Sequence, residues 1–138
     1  MTRLTKNQYR IGPNHFGTRL RELRRQQEVP AALVARRAGI SEDYIYKMEN
    51  GVTDAPNEDI IRKIASVFKD DVTDELVFSS GRLPEDVTSF IFRYPVFSIR
   101  VLRNLSLLNH SGLKYVSSKI EQILGSLHQD NDATAATA

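Results

Sequence analysis

The stretch VPAALVARRAGISEDYIYKMENG, residues 29–51, decides the fold. Apolar residues recur at helical spacing on both sides of Gly39. Glycine ends helices because, without a Cβ, it adopts the left-handed conformation of the last turn without a clash. Ser41 can then cap a second helix, which Asn50 and Gly51 would stop. Two helices joined by so short a turn are typical of a helix-turn-helix motif.

The pattern on both sides of this stretch predicts three further helices. One covers about residues 14–27, one is opened by Pro56 and Asn57, and a short one is capped by Thr73 and ends near Phe78. No strand-type alternation interrupts residues 14–78, which predicts an all-α domain. Its core would include the following apolar positions of the first four helices: Phe16, Leu20, Leu23, Val34, Ala35, Ala38, Tyr44, Ile45, Met48, Ile60, Ile61, Ile64, Ala65 and Phe68.

Three runs carry a resemblance to a known family. They are FGTRLRELRRQQEV (residues 16–29), ALVARRAGIS (32–41) and YIYKMENG (44–51), and Pro56 and the pair Ile64-Ala65 follow them. In these runs the chain resembles the lambda-repressor-like (XRE) helix-turn-helix family. The resemblance implies a five-helix DNA-binding domain over residues 14–78, with the helix at 42–50 in the major groove. It also implies an ion pair between Arg24 and Glu49.

The helix at 42–50 would contact DNA with the residues that its core positions leave outside. Because Tyr44, Ile45 and Met48 have core spacing, their neighbours face outward. The family usually has Ser or Thr at the position of Pro30 and often Gln at that of Ala31, so Ala31 would meet a phosphate only through its backbone N–H. The DNA-binding candidates are Ser41, Glu42, Asp43, Tyr46, Lys47, Asn50, Ala31, Arg36, Arg37 and Thr53.

Composition restricts the function classes. The chain has no cysteine, which excludes disulfides and thiolate metal sites. It shows no signal peptide and no apolar run that could span a bilayer, so we expect a cytoplasmic protein with no membrane association. The net charge is only +2, but residues 1–69 have 13 Lys+Arg against 8 Asp+Glu, and residues 70–138 have 6 against 9. A basic first half suits nucleic-acid binding.

The two ends of the chain have separate predictions. Residues 1–13 are basic, lack helical periodicity and are expected to form a flexible arm. Residues 84–128 read as three helices, the last capped by Ser111, and residues 129–138 are expected to be disordered. The segment 84–128 contains many large apolar residues for its length, and so small a segment rarely builds its own core. It would either pack on its own N-terminal domain or pair with the same segment of a second chain. We favour pairing, and therefore a homodimer.

No constellation of residues indicates catalysis. His15, His110 and His128 stand apart from one another, and no carboxylate lies at ligand spacing, so no metal or cofactor is expected. The pair Ser79-Ser80 has no activating base beside it. The sequence therefore predicts a dimeric transcription regulator, a repressor that binds double-stranded DNA, and no enzyme. Two alternatives stay open, namely the antitoxin of a toxin–antitoxin pair and a helix-turn-helix protein-interaction module that does not bind DNA.

Overall fold

The computed structural model describes residues 13–136, without the side chains of residues 13, 14 and 130–134. These residues form eight α-helices and no strand, as the all-α prediction requires. The predicted N-terminal arm lies outside the described residues, apart from its last residue. The helices are α1 (Pro13–Gln26), α2 (Ala31–Ala38), α3 (Glu42–Glu49), α4 (Glu58–Ala65), α5 (Thr73–Ser79), α6 (Glu85–Arg93), α7 (Pro95–Leu105) and α8 (His110–Ala136).

Local signals set the ends of α2, α3 and α4. Gly39 ends α2 with a φ of 70°. The side chain of Ser41 caps α3 by accepting a hydrogen bond from the backbone N–H of Tyr44 at 3.1 Å. The side chain of Asn57 caps α4 in the same way, accepting from Ile60 at 3.0 Å. Each cap satisfies a helix N–H that has no partner within its own helix.

Helices α1–α5 surround one hydrophobic core. Helix α1 packs against α3 and α5, α2 packs against α3 and α4, and α4 packs against α5. The core contains most of the predicted residues, although Tyr44 and Ile60 are only partly buried at its edge. Four further residues of the core are buried, namely Ala31, Val72, Leu76 and Val77, and the last two show that α5 belongs to this core. The five helices therefore form one domain.

The boundary of this domain lies further along the chain than expected. The chain divides into two compact units between Thr88 and Ser89, rather than between the predicted domain, which ends at residue 78, and the predicted segment, which starts at residue 84. Arg82 donates a hydrogen bond to the backbone oxygen of Pro56, and the backbone N–H of Glu85 donates to the Glu58 carboxylate at 3.2 Å. These bonds join residues 82–85 to the first unit, which corrects the prediction that residue 84 starts a separate segment.

The second unit begins within α6 and has almost no buried side chains. Between residues 89 and 129, Ser98 alone is buried. Asn109 precedes α8 and accepts a hydrogen bond from the N–H of Gly112 at 2.9 Å, so Asn109 caps this helix instead of Ser111. The predicted disorder of residues 129–138 is wrong as far as Ala136, because α8 continues to that residue. This end of α8 has no proline or glycine to stop it and contains several alanines, which favour helix.

Candidate nucleic-acid interface

Helix α3 is held closely against α1 at a glycine. Gly17 is buried in α1, and a Cβ at this position would lie 1.8 Å from the backbone oxygen of Met48. No real side chain tolerates such a distance, so only glycine lets the two backbones approach as they do. Helical periodicity did not predict this contact. Its only signal is a glycine beside Phe16 inside an otherwise good helix.

The burial of α3 separates a core face from an exposed face. Ile45 and Met48 are fully buried, and Tyr44 packs partly against the core. The residues between them are exposed and form the outer face of α3: Glu42, Asp43, Tyr46 and Lys47. These are the four residues of α3 itself that we predicted to face DNA. The structure therefore places the four candidates together on one surface.

The outer face of α3 consists of two internally paired rows. Lys47 Nζ lies 2.7 Å from a carboxylate oxygen of Asp43, one helical turn earlier. The Tyr46 hydroxyl donates to the Glu42 carboxylate at 3.2 Å. Both pairs are exposed, so each contributes only about 0–1 kcal/mol to stability. A ligand with better hydrogen-bonding groups can therefore separate them at little cost.

The predicted ion pair between Arg24 and Glu49 is present and is bidentate. Arg24 Nε and Nη2 lie 2.5 and 2.9 Å from the two carboxylate oxygens of Glu49. The Glu49 side chain is only 2% exposed and that of Arg24 is 14% exposed. Arg24 also donates to the backbone oxygen of Val29 at 3.0 Å. The hydrogen bonds to Glu49 raise the pKa of Arg24 above its ordinary value, so Arg24 stays charged.

A second arginine extends this connection to the end of α3. Arg21 Nε lies 3.5 Å from the Glu49 carboxylate, and another nitrogen of Arg21 donates to the side-chain oxygen of Asn50. The Arg24 guanidinium also lies 5.9 Å from the centre of the Tyr46 ring, within the range of a cation–π contact. Two arginines of α1 thus fix the C-terminal end of α3. Because Asn50 uses its oxygen toward Arg21, its amide N–H groups remain available as donors.

The other candidates lie in several different environments. Ser41 and Arg36 are exposed, whereas Ala31 is buried in the core, which leaves only its backbone N–H for the predicted phosphate contact. Arg37 lies beside the end of α4, where its Nε is 3.4 Å from the Ser66 hydroxyl. The Thr53 hydroxyl oxygen is buried and has no hydrogen-bond partner among the described residues. The structure therefore groups Ser41 with the outer face of α3 but groups Arg37 with α4.

The charge asymmetry of the sequence disappears at the structural boundary. Residues 1–88 contain 14 Lys+Arg and 14 Asp+Glu, and residues 89–138 contain 5 and 3. The difference arises because residues 70–88, which belong to the first unit, contain six acidic residues and one basic residue. One of the six, Glu75, pairs with Arg19 at 2.5 Å. The first unit as a whole therefore has no net charge, whereas residues 1–69 alone have a net charge of +5. Attraction to DNA must depend on where individual cations lie.

Within the described residues, no group of three or more His, Cys, Asp or Glu side chains is placed to hold a metal ion. No helix in this part of the chain is long and apolar enough to cross a membrane.

Comparison with known families identifies the first domain. Residues 15–76 match a family described as a helix-turn-helix domain. No significant match was found among curated proteins or among solved structures. The match includes α1–α4 and most of α5, and it is consistent with an XRE-like regulator. Residues 15–76 therefore form a helix-turn-helix domain, a fold typical of DNA-binding regulators.

Proposed function

We propose that the protein is a cytoplasmic, sequence-specific transcription repressor that binds a palindromic operator as a homodimer, with α3 in the major groove of each half-site. The proposal gives the chain a binding function and no catalytic one. The observation that carries it is the exposed polar face of α3, which α1 holds in place through Gly17, Arg21 and Arg24. A helix fixed in this way can present its side chains to base edges without first being ordered.

The outer face of α3 would read bases with groups of both signs. Lys47 can donate to the acceptors of guanine, and Glu42 or Asp43 can accept from the amino group of cytosine. The same carboxylates are repelled by phosphates and are unfavourable beside bases that offer only acceptors. We therefore expect low affinity for random DNA together with strong discrimination between sites. Before Lys47 reaches a base, it must leave or share its 2.7 Å contact with Asp43.

The DNA backbone would be held by groups around α3. The start of α2 points its first backbone N–H groups, including that of Ala31, toward phosphate, where the helix dipole favours negative charge. Arg36 on the exposed surface of α2 adds charge, and Ser41 and Asn50 add donors at the two ends of α3. Thr53 follows in the turn after α3. Such contacts fix the register of the protein on DNA, while base contacts give the specificity.

Dimerisation would follow from the exposed apolar residues of the second unit. Phe92, Val96 and Leu107 are each more than two thirds exposed, and twelve other large apolar residues of this unit are more than a third exposed. Large exposed apolar surfaces mark interaction sites. A single helix-turn-helix module has a small interface with DNA, so pairing two of them raises affinity and fixes the half-site spacing.

Selection of bound sequences from a random DNA pool tests this proposal. We expect an enriched palindrome whose half-sites lie about one helical turn apart. Fluorescence anisotropy with the selected duplex should then show an affinity that falls steeply as salt rises, because phosphate contacts release counterions. A shuffled duplex of the same composition is the control. The proposal fails if no sequence is enriched, or if the selected and shuffled duplexes bind equally weakly at low salt.

A further inference from the structure

Helix α8 has a regular apolar seam that the described part of the chain leaves exposed. We call the following residues, which are spaced three and four apart in strict alternation, the α8 seam: Leu113, Val116, Ile120, Ile123 and Leu127. Val116 is partly exposed, and the other four are between 41% and 59% exposed. This spacing repeats every seven residues, the period with which helices supercoil around one another.

The seam has a register that favours a parallel arrangement. In the heptad notation, Leu113, Ile120 and Leu127 occupy a positions, and Val116 and Ile123 occupy d positions. An antiparallel pair packs a against d, and three a residues cannot all be matched by two d residues. A parallel, in-register arrangement places each seam residue in a layer with its own copies. Every layer is then filled with apolar side chains.

The residue types at these positions indicate more than two strands, and the pairing of helix-turn-helix domains in the proposed function requires an even number, which gives four. Parallel dimers prefer β-branched residues at a and Leu at d, whereas Leu at a with Ile at d shifts the preference toward trimers and tetramers. Here two of the three a residues are Leu, and both d residues are β-branched. Leu124, which is 51% exposed, lies beside the seam and widens the apolar face, as a bundle of more than two helices needs.

The flanks of the seam favour further copies of the same chain over a charged foreign partner. The flanking positions are small or apolar at Gly112, Ser117, Leu124 and Ser126, and Lys119 is the one charged residue among them. Because the flanks contain no row of like charges, an identical helix would not be repelled. The flanks also lack the strong charge that would attract a partner of opposite charge. Residues 89–138 contain only 5 basic and 3 acidic residues.

We propose that four copies of the chain assemble through the α8 seam as a parallel four-stranded bundle. The bundle buries the seam and Leu124 in all four copies and supplies the core that the second unit lacks. Its functional consequence rests on the proposed function. Four copies carry two pairs of helix-turn-helix domains, so one assembly can hold two operators at once.

Sedimentation equilibrium of the full chain without DNA tests the assembly. We expect a species of four times the 15.7 kDa chain mass. A variant that exchanges the a and d residue types, Leu113→Ile, Val116→Leu, Ile123→Leu and Leu127→Ile, keeps the seam apolar but gives it the pattern of a parallel dimer. Its mass should therefore fall to two chains, while circular dichroism stays helical. Ile120→Asp should reduce the mass to one chain.

A matched control changes the opposite side of α8. Ser118→Ala with Glu121→Gln lies outside the seam and its flanks and should leave four chains. A wild-type mass of one, two or three chains overturns the inference, and so does an exchange variant that keeps four. Binding of the protein to a single operator duplex is measured in a separate experiment. That experiment tests the proposed DNA-binding function alone, so a failure to form the tetramer can be distinguished from a failure to bind DNA. If the tetramer forms, wild-type protein bound to an immobilised operator should capture a second, differently labelled operator. The exchange variant should lose this capture.

Discussion

Gly17 is the residue on which the position of α3 depends most directly. A Cβ at this position would meet the Met48 oxygen at 1.8 Å, so Gly17→Ala must push α1 and α3 apart. Overpacking of this kind costs about 1–3 kcal/mol, and the contact here is with backbone that cannot rotate away. We expect Gly17→Ala to lower the free energy of unfolding by at least that amount in urea denaturation and to weaken operator binding.

Gly125→Ala is the matched control for this substitution. A Cβ at Gly125 meets nothing within 4 Å, and the residue lies inside α8. Alanine there should raise helix stability by about 0.8–1 kcal/mol, because it has the higher helix propensity. Equal effects of the two substitutions would show that α1 and α3 do not approach each other as described.

The ion pair of Arg24 and Glu49 gives the second prediction at this scale. Glu49→Gln leaves the largely buried Arg24 without its charged partner, and stranding a buried charge costs roughly 3–5 kcal/mol. The exposed pair of Asp43 and Lys47 is the comparison, where Asp43→Asn should change stability by no more than about 1 kcal/mol. Urea denaturation of both variants checks the contrast. If Glu49→Gln is as mild as Asp43→Asn, the pair does not hold α3 to α1.

These residues differ in how far the sequence could predict them. The pair of Arg24 and Glu49 followed from the family resemblance, and its chemistry agrees with the observed geometry. Gly17 could not be predicted, because its role depends on where two helices cross and not on local spacing. The contacts of Arg21 with Glu49 and Asn50 were also missed, since periodicity alone made Arg21 an ordinary surface charge on α1.

At the scale of the elements, the stability contributed by the start of α5 should depend on pH. The backbone N–H of Thr73 donates to the Asp71 carboxylate at 3.1 Å, and this bond, with the side chain of Thr73, lowers the pKa of Asp71 below its ordinary value. A lowered pKa gives stability that is present above the unfolded-state pKa and is lost as pH falls through the folded-state pKa. Asp71→Ala should therefore reduce the thermal midpoint near neutral pH.

The difference between wild type and Asp71→Ala should disappear in strong acid, where the carboxylate is protonated in both folded and unfolded chains. Thermal denaturation followed by circular dichroism across this pH range measures it. A difference that persists unchanged below the folded-state pKa would mean that Asp71 acts through something other than its charge.

The helices show where local signals are sufficient and where they are not. Helix α2 ends at the predicted Gly39 and α3 begins after the predicted cap Ser41, because the glycine backbone and the serine side chain specify these two ends. Helix α3 ends at Glu49, one residue before the predicted end. Helix α8 was predicted too short. The polarity of residues 129–138 indicated disorder, but polarity does not stop a helix that meets no breaker.

At the scale of the whole molecule, the domain boundary predicts how the chain can be shortened. A fragment that ends at Thr88 keeps the bonds of Arg82 and Glu85 to the loop and helix that contain Pro56 and Glu58. We expect this fragment to fold as a monomer and to bind the operator much more weakly than the full chain does. A fragment that ends at Ser80 lacks both bonds and should unfold at a lower urea concentration.

Sedimentation and urea denaturation of the two fragments and the full chain measure these differences. A fragment ending at Thr88 that still self-associates would place the oligomer interface in the first domain. Sequence composition predicted that the C-terminal segment needs a partner, since its apolar load is visible in the residues themselves. It could not predict the boundary, which depends on hydrogen bonds between positions far apart in the chain.

The central claim is that α3 reads bases, and binding of Lys47→Ala to selected and random duplexes over a range of salt concentrations tests it most directly. We predict that Lys47→Ala weakens binding to the selected operator by about 1–3 kcal/mol and relaxes one position of the site, with a smaller loss on random DNA. Glu42→Ala, on the same face, should instead strengthen binding to random DNA because it removes a charge repelled by phosphate. Unchanged affinities of both variants for both duplexes would contradict the claim.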